Sequence, residues 1–388
     1  MVSDCVDEKS QCLGKYFLNR NFENKTKTMN HTDWAKKSRG YMIRLNKLTS
    51  LFLFTIIAVL IVMFSCKNNP ADEAPGMVDF TKGTSWLYQL QKADISAVKN
   101  SGFDFVVMDY SFDGKLSGEY AASDIQSLLA AGLTPVAYIS IGEAENYRFY
   151  WRSNWVQTED GNDFTVDAPI WLGHTNPDWP GNYKVRYWNS DWRDHYVKPY
   201  LDKIIAEGFS GVYLDIVDGF EYWGDRQNYG AGKETAVSGD PVDDEAEAAA
   251  RMIELVKWIA AYCKSQSSFG DNFLIIPQNG VRILNYDSDG LYLNTVSGIG
   301  AEDIWYDETS KKASAEVDER VRLLRHFTAA NKPVLAVDYV DDGSGFSGAN
   351  KVRMLDFASK CQAEKFRYYV ANSDRELNRV NVIADVQP

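Results

Sequence analysis

The chain has 388 residues, with 41 Lys and Arg against 54 Asp and Glu, a net charge of −13, and 45% hydrophobic residues. That apolar share supports a large core, while the acidic balance excludes nucleic acid, whose binding rests on phosphate neutralisation. Beyond Cys66 only Cys263 and Cys361 remain, too few for a disulfide framework, and the four histidines show no HxxxH or HxH spacing, which leaves a histidine metal site or a Ser-His-Asp triad without support.

Residues 1–41 are polar and lack periodicity; they read either as the product of a misplaced start or as a disordered cytoplasmic tail. Met42 opens a conventional export signal: Arg44 and Lys47, then an apolar run from Leu51 to Ser65, then Cys66. The run is short for a membrane-spanning helix of about 20 residues. Ser65-Cys66 followed by KNNPADEAPG resembles a bacterial lipoprotein processing site, although Met63 stands where Leu or Val is usual. Residues 42–66 are therefore expected to be a signal peptide with lipidation at Cys66, placing the protein at the outer membrane, the cell surface or the periplasm. An uncleaved anchor and ordinary secretion are the alternatives. Residues 67–82 read as a tether and 83–388 as one domain, expected to be monomeric.

From residue 84 strands and helices alternate. Strands are expected at 84–90, 104–110, 134–141, 211–217, 273–279, 298–305, 333–340 and 366–372, several of them near-continuous β-branched and aromatic runs of the kind that parallel strands covered on both faces require. Helices are expected at 93–100, 123–131, 192–207, 245–264, 314–330 and 350–363, with stop signals at Gly102, Gly132, Gly208 and Asn331. This order predicts a (β/α)₈ TIM barrel. A doubly wound sheet is the rival, but it would carry a Gly-rich turn after its first strand, where WLYQLQKAD has no glycine. Long insertions follow strands 3 and 4, spanning 147–191 and 219–243, and the first holds Trp151, Trp155, Trp171, Trp179 and Trp188.

In such a barrel all strand C-termini converge on one mouth, which here would present Gln89, Asp109, Glu143, Asp215, Asp218, Asn279, Glu302, Asp338 and Asn372. Any one acid after a strand can be a cap or a turn former. Asp215 stands out because GVYLDIVDGFEYW sets an acid inside an apolar strand, where an unpaired charge is costly; an ion pair is the structural alternative. Glu302 in GIGAEDIWY repeats the pattern, with Asp303 expected to face the other way. Two facing carboxylates suit glycoside hydrolysis. Tyr147, Trp151, Trp155, Tyr222 and Trp223 are candidate sugar platforms, against the alternative of a small core beneath the insertion.

The motifs GVYLDIVDGFEYW, AYISIGEAENYRFYW, IIPQNG, GIGAEDIWY and VLAVDYV together resemble glycoside hydrolase family 114, the endo-α-1,4-polygalactosaminidases, and more closely its bacterial and archaeal barrel branch. The resemblance runs from about Trp86 to Asn372. It implies a retaining mechanism without cofactor or metal, in which Asp215 is the nucleophile and Glu302 the acid/base. Asp109, Glu143, Asn279 and Asp338 match polar positions lining the family's pocket, and Tyr138, Asp218, Tyr222, Trp223 and Tyr339 are the further expected substrate contacts. The implied partner is an α-linked polysaccharide containing amino sugar or galactose. The long insertions depart from the fungal members and leave the polymer open. The alternatives are a glycosidase of different linkage, a non-catalytic carbohydrate-binding barrel, or a hydrolase using Ca²⁺ or Mg²⁺ on its acids.

Overall fold

The computed structural model describes Phe80 and residues 85–388. Each expected strand is present: β1 Trp86–Gln89, β2 Phe105–Met108, β3 Thr134–Ser140, β4 Gly211–Asp215, β5 Leu274–Pro277, β6 Ile299–Glu302, β7 Val334–Asp341 and β8 Arg367–Asn372. β1 to β5 pair in parallel as one sheet, and β6, β7 and β8 as a second. The hydrogen-bond ladder is thus not closed. β5 meets β6 through a single bridge, Gln278 to Gly300, and through the Ser297 amide donating to the Ile275 carbonyl at 2.7 Å. Between β8 and β1 side chains meet instead: the Trp86 and Tyr369 rings lie 5.9 Å apart. The fold is the (β/α)₈ arrangement with two seams in its ladder.

The connecting helices are α1 Ile95–Lys99, α2 Ala122–Ala130, α3 Lys198–Glu207, α4 Glu245–Gln266, α5 Leu291–Thr295, α6 Ser314–Ala329 and α7 Gly348–Glu364. Asp94 and Asp244 cap α1 and α4 by accepting from the Ala97 and Glu247 amides. The four stop residues all take left-handed backbone, with φ of 82° at Gly102, 90° at Gly132 and Gly208, and 57° at Asn331. α3 is preceded by a π-helical turn, Arg193–Val197, where Pro199 supplies no N–H to the turn before it. α5 was not expected. No helix follows β8; the chain instead returns over the mouth, where the Gln91 amide donates to the Leu377 carbonyl at 3.0 Å.

Aromatic rings fill the barrel interior. Tyr88 packs on Trp86 and Tyr213 with centroids 5.6 and 5.5 Å apart. Opposite, Gly300 is a requirement of space: a Cβ there would lie 1.8 Å from the Tyr213 hydroxyl. Gly300→Ala is expected to lower the unfolding free energy by about 1–3 kcal/mol through overpacking, read as a lower urea midpoint. An unchanged midpoint would mean that Tyr213 does not press on β6.

After β3 the first insertion forms a small antiparallel sheet, Glu143–Glu145 pairing with Trp179–Val185, which pairs in turn with Leu172–Asn176. Beneath it Trp155, Trp171, Trp192 and Tyr196 pack ring on ring. The second insertion carries the short helix Gly219–Gly224 and is tied to the first by Arg186 on Asp240 at 2.8 Å. Cys263 and Cys361 are free and buried. Among the described residues no helix is long and apolar enough to cross a membrane, and the apolar run with Cys66 lies outside them.

Candidate active site

The strand C-termini open into a cavity of about 600 Å³ whose wall includes Asp109, Tyr138, Glu143, Asp215, Asp218, Asn279, Glu302 and Tyr339. Asp215 is the last residue of β4. Its Oδ2 accepts from the Tyr138 hydroxyl at 2.6 Å and its Oδ1 from the Ile216 amide at 2.8 Å. Burial pushes this carboxyl up to about 8; the Tyr138 hydrogen bond opposes the rise, and the negative charges of Glu302 and Asp218 add to it. Ile216 has a φ of 59°, a strained value for a β-branched residue. Its carbonyl lies where a Cβ on Gly142 would come within 2.2 Å, so a glycine there gives the turn its room.

Glu302 ends β6 in the same manner. Its Oε1 accepts from the Tyr339 hydroxyl at 2.5 Å, and its own amide donates to Asn279 Oδ1 at 3.0 Å. Arg320 reaches the same Asn279 oxygen at 2.6 Å. Asn279 and Asp303, each just past a strand end, also have positive φ, 54° and 50°. Burial raises the Glu302 carboxyl, opposed by the Tyr339 hydrogen bond; Asp303 raises it further, while Arg375 and Arg320 draw it down. Each key carboxylate therefore sits at a strand end with a tyrosine hydroxyl from the neighbouring strand on one oxygen.

The other wall acids are already engaged. Asp109 binds Arg148 at 2.7 Å, and Arg148 also holds Glu145 at 2.6 Å, all three buried. Burial lifts the Asp109 carboxyl to about 6 against the pull of Arg148. Glu143 is fully buried, with Lys184 at 2.5 Å and the Asn176 amide at 3.0 Å on one oxygen. Asp218 starts the 219–224 helix without capping it through its side chain, and burial raises its carboxyl against the pull of Lys184.

Three expected contacts are corrected. Asp338 does not reach the cavity: it is fully buried and accepts from the Ile304, Trp305 and Tyr306 amides at 2.7, 3.0 and 3.0 Å, anchoring the turn after β6. Trp223 is 0% exposed under the Arg186 guanidinium. Tyr222 gives its hydroxyl to Glu234 at 2.9 Å and stands outside the cavity wall. Both aromatics pack the insertion because ring area gains more from burial than from a wet rim. Of the other platform candidates Tyr147 lines the cavity, whereas Trp155 is buried and Trp151 stacks on Tyr183. At the remaining strand ends, Gln89 binds the backbone of Gln91 and Lys92, and Asn372 binds Asp341. Asp303 is absent from the cavity wall, and both its oxygens bind Arg375 at 2.8 Å. Among the described residues no group of three or more His, Cys, Asp or Glu side chains is placed to hold a metal.

Residues 67–387 match the Glycoside-hydrolase family GH114. The chain belongs to this family and is a glycoside hydrolase. It is 42% identical over 324 residues to the uncharacterized protein MJ1477 of Methanocaldococcus jannaschii, covering 82% of this chain and 86% of that one. An uncharacterized protein of Thermotoga maritima is 40% identical over 336 residues, covering 87% and 94%. Among solved structures, the glycoside hydrolase domain of PelA from Pseudomonas aeruginosa shares the fold, with a TM-score of 0.52 and 15% identity over 78% of this chain and 98% of that one.

Several wall residues of this GH114 chain escaped the sequence reading. Glu145 and Arg148 had a signal in EAENYR: acids at alternate positions share a strand face, and an arginine three residues on can turn back to them. Gln278 accepts from the Tyr88 hydroxyl at 3.0 Å. Arg375, whose guanidinium lies 4.2 Å from the Tyr339 ring centroid, comes from the tail after β8, where no strand or helix pattern marks it.

Proposed function

We propose that this GH114 chain is a retaining, endo-acting glycosidase that cleaves an α-linked polysaccharide containing galactosamine or galactose, with Asp215 as nucleophile and Glu302 as acid/base. The observation that supports it is the pair itself: two partly buried carboxylates at the ends of β4 and β6, electrostatically coupled in one cavity. In the first step an Asp215 oxygen bonds to the anomeric carbon as the glycosidic C–O bond breaks, and Glu302 gives its proton to the departing oxygen. In the second, Glu302 takes a proton from water, whose oxygen displaces Asp215 from the same carbon. Two donors on Asp215 oppose the rise that burial imposes on its carboxyl, whereas Glu302 receives one. The acidic wall and overall charge of −13 suit a cationic amino sugar.

The test is reducing-end release from a polysaccharide panel that includes deacetylated galactosaminogalactan, with wild type, Asp215→Asn and Glu302→Gln in parallel. Activity that persists in both variants would dismiss the pair. The same reading carries a pH signature. Catalysis needs Asp215 ionised and Glu302 protonated, so kcat/KM is bell-shaped with limbs that belong to the coupled pair. The tyrosine hydrogen bond lowers each carboxyl. Tyr138→Phe and Tyr339→Phe therefore each move one limb of the pair's profile to higher pH. Limbs that stay in place, or that move downward, count against these roles.

The proposal extends to place: a monomer exported through residues 42–66 and anchored by lipid on Cys66. Cys66→Ala would release the protein from the membrane fraction and abolish palmitate labelling; labelling that survives the substitution excludes that anchor.

A further inference from the structure

Trp179 is the only exposed tryptophan among the described residues, at 56%, and it stands on the wall of the cavity that holds Asp215 and Glu302. Single exposed apolar residues are ordinary, but Trp179 is not single: Phe112 and Tyr147, 45% and 41% exposed, line the same cavity. The indole also sits on a built tip. Asn176 and Trp179 are paired across the hairpin turn, and the Asp178 amide donates to Asn176 Oδ1 at 3.1 Å. The Thr175 amide donates to Asn162 Oδ1 at 2.7 Å, and the Gly181 carbonyl accepts from the Asn146 amide at 2.9 Å. At Gly181 φ is 95°, and a Cβ would meet Asn146 Oδ1 at 2.9 Å, so the turn packs too closely there for a side chain. Ordering an exposed aromatic this firmly forgoes conformational freedom without burying its ring, which is what a preorganised contact surface requires.

The tip is tied to the site. Lys184, in the same strand as Trp179, pairs across the sheet with Glu143 and binds its carboxylate. The other Glu143 oxygen is buried with no hydrogen-bond partner in a residue that lines the cavity.

We propose that Trp179 is a stacking platform for a pyranose ring of the bound polysaccharide away from the bond being cleaved. This makes the first insertion the element that sets how long a chain the enzyme prefers. The inference rests on the glycosidase reading above. The C–H face of a sugar ring is flat and apolar and would cover the indole, while its hydroxyls or amine stay hydrated.

The test compares full-length wild type, Trp179→Ala and Trp179→Tyr on α-1,4-galactosamine oligosaccharides of increasing length, together with affinity electrophoresis in gels carrying the polymer. Trp179→Ala is expected to lower kcat/KM by about tenfold on long chains, equivalent to one well-stacked ring, to leave the shortest cleaved oligosaccharide unaffected, and to abolish retardation in the gel; Trp179→Tyr restores most of both. Equal loss at every length, or no loss, overturns the platform. If wild type cleaves none of these oligosaccharides, the galactosamine reading fails by itself and the gel decides the platform. Retardation of wild type that Trp179→Ala loses supports the platform; retardation equal in both proteins, or absent from wild type, overturns it.

Discussion

Asp215→Asn is expected to lower kcat/KM by about 10³-fold or more, the range seen when a group acting on the reacting atoms is removed. The substitution keeps volume and shape, with an amide oxygen to accept from the Ile216 N–H and an amide nitrogen to donate to the Tyr138 hydroxyl oxygen, so the loss reports chemistry and not collapse. Stability supplies the control. The folded carboxyl stands at about 8, raised by burial, against about 4 for an unfolded aspartate. A group raised in the folded state stabilises below its unfolded value, and that stability is lost as pH climbs through the folded value. Wild type should therefore lose stability between about pH 4 and pH 8 in a way that Asp215→Asn does not. A variant that is inactive and also strongly destabilised at pH 8 would undo the assignment of Asp215 as a reacting group.

Arg148→Met is expected to produce the largest loss of stability. Arg148 is buried between Asp109 and Glu145, and removing it leaves two carboxylates facing each other without a counter-charge. Breaking a buried pair in this way costs about 3–5 kcal/mol, read as a lower midpoint in urea. The loss should shrink in acid. The Asp109 carboxyl is at about 6 with the arginine present, and the arginine pulls it down. Without that pull the acid protonates at higher pH, which relieves the repulsion as pH falls. The consequence reaches the site, because the guanidinium also lies 5.9 Å from the ring centroid of Tyr138, the donor to Asp215. A deficit that does not change with pH would show that Arg148 acts by packing alone.

The barrel strands were legible because parallel strands covered on both faces must be apolar almost throughout, and such runs stand out between glycine and asparagine stops. Asp215 and Glu302 were legible as interruptions of those runs. Asp338 interrupts VLAVDYV in the same way and serves a different end. Its partners are three amides of the turn after β6, freed where Asp303 enters left-handed backbone, and backbone donors leave no trace in side-chain pattern. Trp223 and Trp179 show the complementary limit. Aromatic density signals that rings have something to cover, not which of them stay outside; that depended on a strand pairing within the insertion which short, irregular segments do not announce. Arg375 reaches Asp303 and Tyr339 only because the chain beyond β8 folds back over the mouth. Long-range return of this kind is a property of the whole fold.

The proposed covalent step at Asp215, followed by water guided by Glu302, is read directly by stereochemistry. Two displacements at one carbon restore its configuration, whereas a single attack by water inverts it. Proton NMR of the reducing end first formed from α-1,4-galactosamine oligosaccharides, recorded before mutarotation, should show the α anomer. Initial appearance of the β anomer would contradict a covalent step at Asp215.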